Sequence, residues 1–220
     1  MTDILRYIEL KDIESLRTRA KDRDIINDRD QNGQSFLHHA ASISNIQMVE
    51  FFIKKGVDVN ARDHEGNIAL HYACASGSVD VCECLIMNGS NVNALNINET
   101  APLHIAIDSE NHEILKLLLE HGADNKICNR LSKSPVHLAV LSGNAISLEM
   151  LVEFGARVNS SFPNCDSPLH TAVKKQRRDM AAILVNAGAD VFSVNRDNQT
   201  PHDIARENSD HQMQDIVSLF

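Results

Sequence analysis

The sequence predicts an all-α repeat solenoid, in which short helix-turn-helix units stack along the chain. Three residue types recur with a period of 33 residues. The recurring histidines are His38, His71, His104, His137 and His170. The recurring glycines are Gly56, Gly89, Gly122, Gly155 and Gly188, and an alanine follows each histidine by two positions. A fixed period of this length indicates a repeat architecture, whose units bury a continuous core by stacking on their neighbours.

Each period is predicted to hold two short helices followed by a loop. The first helix begins where a proline follows a capping residue, as Pro135 follows Ser134. Proline costs no hydrogen bond there, since the N–H of the first helical turn would be unpaired anyway. Apolar residues at helical spacing, such as Val49 and Phe52, indicate the second helix. Gly56 then ends that helix in the left-handed conformation, and the chain turns out into a loop.

Two motifs carry a family resemblance over essentially the whole chain. Residues 101–104, 134–137, 167–170 and 200–203 resemble the Thr-Pro-Leu-His signature of ankyrin repeats, and residues 118–124 resemble the Leu-Leu-x-x-Gly-Ala-Asp ending of the same repeats. The resemblance implies β-hairpin loops that project at right angles to the helices. It also implies histidines that tie hairpin to helix by hydrogen bonds, and a partner held on the concave face formed by hairpin tips and first helices.

We predict a single ankyrin-repeat domain over residues 1–220. Residues 1–29 form an N-terminal capping repeat, and residues 195–220 form a C-terminal capping repeat. The full repeats are 30–62, 63–95, 96–128, 129–161 and 162–194. Terminal repeats are expected to be atypical because one of their faces meets water. Whether the 220 residues are the whole protein or one domain of it stays open.

The hairpin loops depart from the family pattern at one position. Gly33 and Gly66 occupy it in two repeats, whereas later repeats carry Glu99, Ser132, Cys165 and Asn198. Of these four, only asparagine tolerates a positive φ well. The sequence therefore leaves open whether the loops that carry Glu99, Ser132 and Cys165 are regular.

Composition excludes several classes of protein. A net charge of −9 argues against direct binding of nucleic acid, which needs clustered Lys and Arg. No apolar run approaches the roughly 18 residues of a membrane span, and no signal sequence opens the chain. Five scattered cysteines without a signal peptide predict reduced thiols. We expect a cytoplasmic or nuclear protein that is monomeric in isolation.

Motifs for chemistry fail on inspection. Cys82 and Cys84 are two residues apart on a predicted helix and point to nearly opposite sides, so they do not form a zinc site. Residues 28–33 mimic the start of a calcium-binding loop, but its twelfth position holds His39 instead of glutamate. Walker, dinucleotide and Gly-x-Ser-x-Gly motifs do not occur. We predict a protein that is not an enzyme and that has no metal or cofactor site.

An apolar stripe is the first candidate for binding a partner. It lies at or near the tips of three successive hairpins and at the end of one first helix. Its residues are Leu95, Ile97, Leu131, Leu141, Phe162 and Pro163. Exposed apolar patches of this kind commonly mark interaction sites. The alternative is that each side chain folds back against its own hairpin.

Two further features are candidates of different kinds. A basic cluster of Lys174, Lys175, Arg177 and Arg178 stands at the turn between two helices, either to receive an acidic segment of a partner or as a solvated turn. Asn60 resembles the ankyrin asparagines that asparaginyl hydroxylases modify, and its alternative role is structural.

These observations predict a scaffold or adaptor that binds a partner protein on its concave face. The alternative is the recognition or regulatory module of a longer enzyme, channel or signalling protein. Fold alone does not identify the partner.

Overall fold

The computed structural model describes residues 6–8, 10, 12–19, 28–159, 166–208 and 210–218. Helix α1 is Ile13–Arg19. The first helices of the repeats are α2 Phe36–Ser42, α4 Ala69–Ser76, α6 Pro102–Asp108, α8 Pro135–Ser142, α10 Pro168–Lys174 and α12 Pro201–Glu207. The second helices are α3 Ile46–Lys54, α5 Val79–Met87, α7 His112–Glu120, α9 Ala145–Glu153, α11 Arg178–Asn186 and α13 His211–Val217. Both series start at intervals of 33 residues, so the predicted all-α repeat fold is confirmed.

The chain divides into two compact units, residues 1–123 and residues 124–220. In the first unit, α2 packs on α4 and α4 on α6, while α3 packs on α5 and α5 on α7. In the second unit, α8 packs on α10 and α10 on α12, while α9 packs on α11 and α11 on α13. Like helices therefore stack on like helices in each unit. The single domain over 1–220 stays a prediction.

Small residues let the first helices approach one another closely. Ala40, Ala73 and Ala106 are each 0% exposed in the first unit. Larger apolar side chains from the second helices close the core beside them, and Phe36 and Phe52 stack with their ring centroids 5.8 Å apart. This pattern gives every repeat a buried face that only its neighbours can cover.

Five of the second helices, α3, α5, α7, α9 and α11, are followed by a glycine with a positive φ, as the glycine spacing predicted. Gly56 has a φ of +83°. Its N–H donates to the carbonyl of Ile53 at 2.9 Å, and the N–H of Val57 donates to the carbonyl of Phe52 at 3.2 Å. These two bonds form a Schellman motif. Glycine is the one residue that takes the left-handed conformation of this position without steric cost.

The hairpin loops close in one shared turn, whether or not glycine occupies it. The N–H of Asp30 donates to the carbonyl of Gln34 at 3.0 Å, where Gly33 has a φ of +76°. Glu99 and Ser132 take φ values of 55° and 57° and keep the equivalent bonds. Their loops are therefore regular, at a cost in backbone strain. Cys165 lies outside the described residues.

Extended pairing in these loops is limited. In the part of the chain that the structure describes, a single antiparallel bridge joins Arg29 to Ser35, and no strands are formed. The loops are thus tight turns at the described positions. They carry their tip residues on rigid, hydrogen-bonded backbone.

Four of the repeating histidines, His38, His71, His137 and His170, join their own helix to the turn of the next repeat, as the resemblance implied. His38 accepts a hydrogen bond at Nδ1 from the N–H of Ser35, at 3.0 Å. The ring proton therefore lies on Nε2, which donates to the carbonyl of Asn67 at 3.1 Å. Asp203 takes the equivalent place in the last repeat and accepts from the N–H of Thr200 at 3.0 Å. Its carboxylate caps its own helix but has no proton to donate onward.

Candidate partner-binding surface

A depression of about 410 Å³ lies in the second unit, where hairpin turns meet first helices. Its charged lining residues are Lys133, Asp166, Lys174, Arg196 and Asp197, and Leu131 lines it as well. The structure thus brings together two residues that the sequence had assigned to separate features. They are Leu131 of the apolar stripe and Lys174 of the basic cluster.

The turn at 129–133 holds Leu131 out in solvent. The side-chain Oδ1 of Asn129 accepts from the N–H of Leu131 at 3.0 Å and from the N–H of Lys133 at 3.1 Å. Because this local turn fixes the backbone, Leu131 does not fold back, and it is 77% exposed. Such a large apolar side chain on a rigid turn is typical of a contact residue.

Asp166 organises the floor of the depression. Its carboxylate accepts from Lys174 Nζ at 2.8 Å and from Asn195 Nδ2 at 3.1 Å. Its backbone carbonyl accepts from His137 Nε2 at 3.1 Å. Burial by itself raises the pKa of Asp166, but the hydrogen bonds from Lys174 and Asn195 and the charge of Lys174 outweigh burial and hold the pKa below its usual value. The floor therefore contains a stable ion pair that leaves little net charge of its own.

The remaining charges of the depression come from two turns. Lys133 closes the turn at 129–133, and Arg196 and Asp197 lie on the turn at 195–199. The ammonium of Lys133 makes no hydrogen bond or ion pair with a side chain that the structure describes. Lys133, Arg196 and Asp197 thus add charged groups to the lining besides the ion pair of Asp166 with Lys174.

The first unit carries the other part of the predicted stripe. Ile97 is 51% exposed on the turn at 96–100, and its N–H donates to the carbonyl of Glu65 on the preceding turn at 2.9 Å. Leu95 is half-buried, and its carbonyl accepts a hydrogen bond from the guanidinium of Arg62. Ile97 is therefore the more available of the two side chains.

The remaining residues of the predicted stripe are Leu141, Phe162 and Pro163. Leu141 is half-buried at the end of α8, and its carbonyl accepts from Arg177 at 3.1 Å. Phe162 and Pro163 lie outside the described residues. That the stripe binds a partner stays a prediction.

Intramolecular partners occupy most of the basic cluster. Arg178 donates to Asp210 at 2.9 Å and to Gln212 at 2.6 Å, so it holds α11 to the start of α13. Arg177 bonds the preceding repeat through Leu141, and Lys174 pairs with Asp166. This arrangement favours a structural turn for Arg177 and Arg178, while Lys175 is exposed.

Both the nitrogen and the oxygen of the Asn60 side-chain amide form hydrogen bonds within the protein. Nδ2 donates to the carbonyl of Gly89 at 2.9 Å, and Oδ1 accepts from the N–H of Asn91 at 2.7 Å. Asn159 makes the equivalent pair of bonds in the second unit. Asn60 is thus a link between successive loops, and its hydroxylation stays a prediction.

Sequence reasoning missed Lys133 and Arg196, which line the same depression as Leu131. A signal was available, because the 33-residue frame places Lys133 and Asp166 at one repeat position. It also missed exposed apolar residues away from the stripe. The largest exposures among these are Phe192 at 73%, Met87 at 70% and Leu10 at 65%, and Ile146 follows at 54%.

Three features of the described residues concern metal binding, membrane insertion and thiol chemistry. They contain no group of three or more His, Cys, Asp or Glu side chains placed to hold a metal ion. None of the helices among them has the length and apolar character needed to span a membrane. Cys74 and Cys82 are fully buried with their Sγ atoms 3.9 Å apart, and burial raises the pKa of the Cys74 thiol well above its usual value.

Comparison with known proteins gives one consistent result. A family model described as ankyrin repeats (3 copies) matches residues 8–96, 85–162 and 103–198. The crystal structure of the ankyrin repeat domain of Bcl-3, a unique member of the IkappaB protein family, is 25% identical with a TM-score of 0.86, over 98% of this chain and 97% of that one. The human ASB11 ankyrin repeat domain is 21% identical with a TM-score of 0.81, over 98% and 96% of the two chains. No curated protein sequence matches the chain.

Proposed function

We propose that this chain, which belongs to the ankyrin-repeat family, is a recognition scaffold or adaptor that binds a partner protein. Ankyrin repeats generally serve as protein interaction modules. The proposed surface consists of the hairpin turns together with the first helices. In this role the chain acts as a monomer in the cytoplasm or nucleus and catalyses no reaction.

One observation carries the proposal, namely the exposure of Leu131 beside the depression. A hydrogen-bonded turn presents 77% of this side chain to solvent, and charged groups surround it. Protein interfaces typically combine an apolar anchor with a polar rim of this kind. Because the backbone of this turn is already ordered by hydrogen bonds, binding of a partner at Leu131 avoids the entropy cost of ordering the turn.

The first experiment compares two double variants in crosslinked pull-downs from native lysate. Ile97→Glu with Leu131→Glu alters the proposed surface in both units. Met87→Glu with Ile146→Glu alters one exposed apolar residue of a second helix in each unit, at similar exposure. Circular dichroism establishes that both variants keep the helical content of the wild type.

The proposal expects specific partners with the wild type and the second variant, and their loss with the first. Equal loss of the partners from both variants would indicate non-specific association through exposed apolar residues and would count against the proposal. Partners that persist with the first variant and disappear with the second would place binding on the second helices and overturn the proposal.

A further inference from the structure

The charged side chains of the first unit are mainly acidic. Residues 30–123 carry 4 basic and 12 acidic side chains, whereas residues 124–220 carry 10 basic and 11 acidic ones. The three turns at 29–34, 62–67 and 95–100 carry two arginines and four carboxylates. The first unit therefore attracts cationic ligands, and the contacts of each turn charge decide where such a ligand can be held.

Hydrogen bonds within the unit already engage most of these turn charges. Asp30 and Asp63 each accept hydrogen bonds from two N–H groups of their own turn. Asp63 also accepts from the hydroxyl of Tyr72 at 2.6 Å. Arg29 and Arg62 each donate to two backbone carbonyls of the turns. These four charged side chains therefore hold the turns in shape.

The two other carboxylates of the turns belong to Glu65 and Glu99. Both side chains are exposed. Neither carboxylate forms a hydrogen bond or an ion pair with another residue in the described part of the chain. Each carboxylate can therefore form charge-assisted hydrogen bonds with an ammonium or guanidinium group of another molecule.

Ile97 places an exposed apolar side chain beside these two residues. Glu99 follows it by two positions on the same turn, and the carbonyl of Glu65 on the preceding turn accepts from the N–H of Ile97 at 2.9 Å. This close approach depends on Gly66, where a Cβ would lie 3.2 Å from the backbone N of Ile97. Because the hydrogen bond joins the two turns, Glu65, Ile97 and Glu99 form one surface, here called the Ile97 surface.

On the basis of the proposed function, we infer that the Ile97 surface binds a basic segment of the partner protein. An aliphatic side chain of this segment covers Ile97, which is 51% exposed, and neighbouring Lys or Arg side chains pair with Glu65 and Glu99. Charge complementarity selects this occupant. The two carboxylates repel an acidic segment, and a purely apolar segment would remove water from them without providing a partner.

The test uses the full 15N-labelled chain and three short capped peptides. They are Lys-Lys-Leu-Lys-Lys, its Gln-Gln-Leu-Gln-Gln analogue and its Lys-Lys-Ser-Lys-Lys analogue, each added at constant ionic strength. Amide shifts report the position of binding, and the lysine peptide with leucine is expected to shift residues 64–66 and 96–100 most. Its affinity should exceed that of the glutamine analogue roughly tenfold and that of the serine analogue roughly threefold.

A matched pair of variants tests whether the two carboxylates bind the peptide. Glu65→Gln with Glu99→Gln removes both charges of the Ile97 surface and is expected to lower the affinity for the lysine peptide roughly fivefold. Glu83→Gln with Glu113→Gln removes two exposed charges from α5 and α7, so the net charge of the chain changes equally. This control is expected to retain most of the affinity.

Equal binding of the three peptides, equal losses of affinity in the two variants, shifts centred elsewhere, or no shifts with the lysine peptide would each overturn the inference. Shifts at the two turns with calcium ions but none with the lysine peptide would indicate a site for a small cation and would also overturn it.

The proposed function fails separately, because it is judged by the pull-down with the Ile97→Glu and Leu131→Glu variant. A partner that is lost with that variant but kept by the Glu65→Gln and Glu99→Gln variant would preserve the proposed function and contradict the basic segment.

Discussion

The Nε2 atom of His71 lies 3.1 Å from the carbonyl oxygen of Thr100, a residue of the next repeat. On the other side of the ring, Nδ1 accepts from the N–H of Ile68 at 3.1 Å. Both bonds form together only in the neutral imidazole, because protonation converts Nδ1 from an acceptor into a donor. The link between repeats therefore depends on a neutral histidine.

Stability is predicted to fall as the solution becomes mildly acidic. Burial lowers the pKa of His38, His71, His137 and His170 below the usual 6.5. Near pH 6 the unfolded chain then binds more protons than the folded chain, so the free energy of unfolding rises with pH in this range. The contribution is present in full above about pH 6.5 and is lost as pH falls toward the folded pKa values.

Urea unfolding followed by circular dichroism at pH 7.5, 6.5 and 5.5 measures this effect. We expect a progressive decrease in the free energy of unfolding across the three values. Titration of the histidine ring resonances should show these four rings resisting protonation. A free energy that is constant from pH 7.5 to 5.5 would contradict the assignment of neutral, linking histidines.

Glu99→Gly is predicted to stabilise the chain. Glu99 has a φ of 55° at the turn position that Gly33 and Gly66 occupy in two other repeats. A non-glycine residue in this left-handed conformation destabilises the folded chain by about 1 kcal/mol. Glycine removes that strain, although its greater freedom in the unfolded chain offsets part of the gain. We expect a higher urea midpoint, while Glu99→Ala should leave it nearly unchanged.

Gly66→Ala provides the reverse experiment. A Cβ at Gly66 would lie 3.2 Å from the backbone N of Ile97, and φ there is +76°. We expect destabilisation by about 1 kcal/mol or more. If Gly66→Ala were neutral, the strain assigned to Glu99 would have no support.

Arg177→Asn is predicted to stabilise the second unit, because the new N-cap contributes about 1 kcal/mol and offsets the loss of the bond from Arg177 to Leu141. Arg177 occupies the N-cap of α11 without capping it, whereas Asn144 caps α9 by accepting from the N–H of Ser147 at 2.9 Å. The backbone of Arg177, at φ −93° and ψ 81°, is close to that of Asn144 at −93° and 93°. Asparagine can therefore form the missing bond without a change of backbone.

The comparison variant for this prediction is Arg177→Ala, which loses the bond to Leu141 and gains no cap. Its urea midpoint should lie below those of both wild type and Arg177→Asn. Equal midpoints for the alanine and asparagine variants would show that the cap does not form.

The fold could be predicted from the sequence because residues at the helix ends mark the helix boundaries within each repeat. Pro135 marks a helix start and Gly56 a helix end, and the 33-residue period then gives the stacking. The turn at Glu99 could not be predicted, because neighbouring hydrogen bonds override its backbone preference. The partner of Arg178 was likewise hidden, since Asp210 approaches it only through the packing of α11 beside α13. Lys174 meets Asp166 within its own repeat, across the length of α10.

The candidate surface could be predicted in part. Leu131 was visible as an apolar residue at a position that normally faces water. The repeat frame also placed Lys133 level with Asp166, but it gave no sign of Arg196 and Asp197, which line the depression only because two separate turns of the second unit come together there.

Site-specific photocrosslinking tests the central claim most directly. Benzoylphenylalanine replaces Leu131 on the proposed surface in one sample, and Ile146 on α9 in the other, since both side chains are well exposed in the second unit. Each protein is irradiated with the partner recovered from the pull-down. We expect a covalent adduct from position 131 and none from position 146. An adduct from position 146 with none from position 131 would contradict binding through the hairpin turns and first helices.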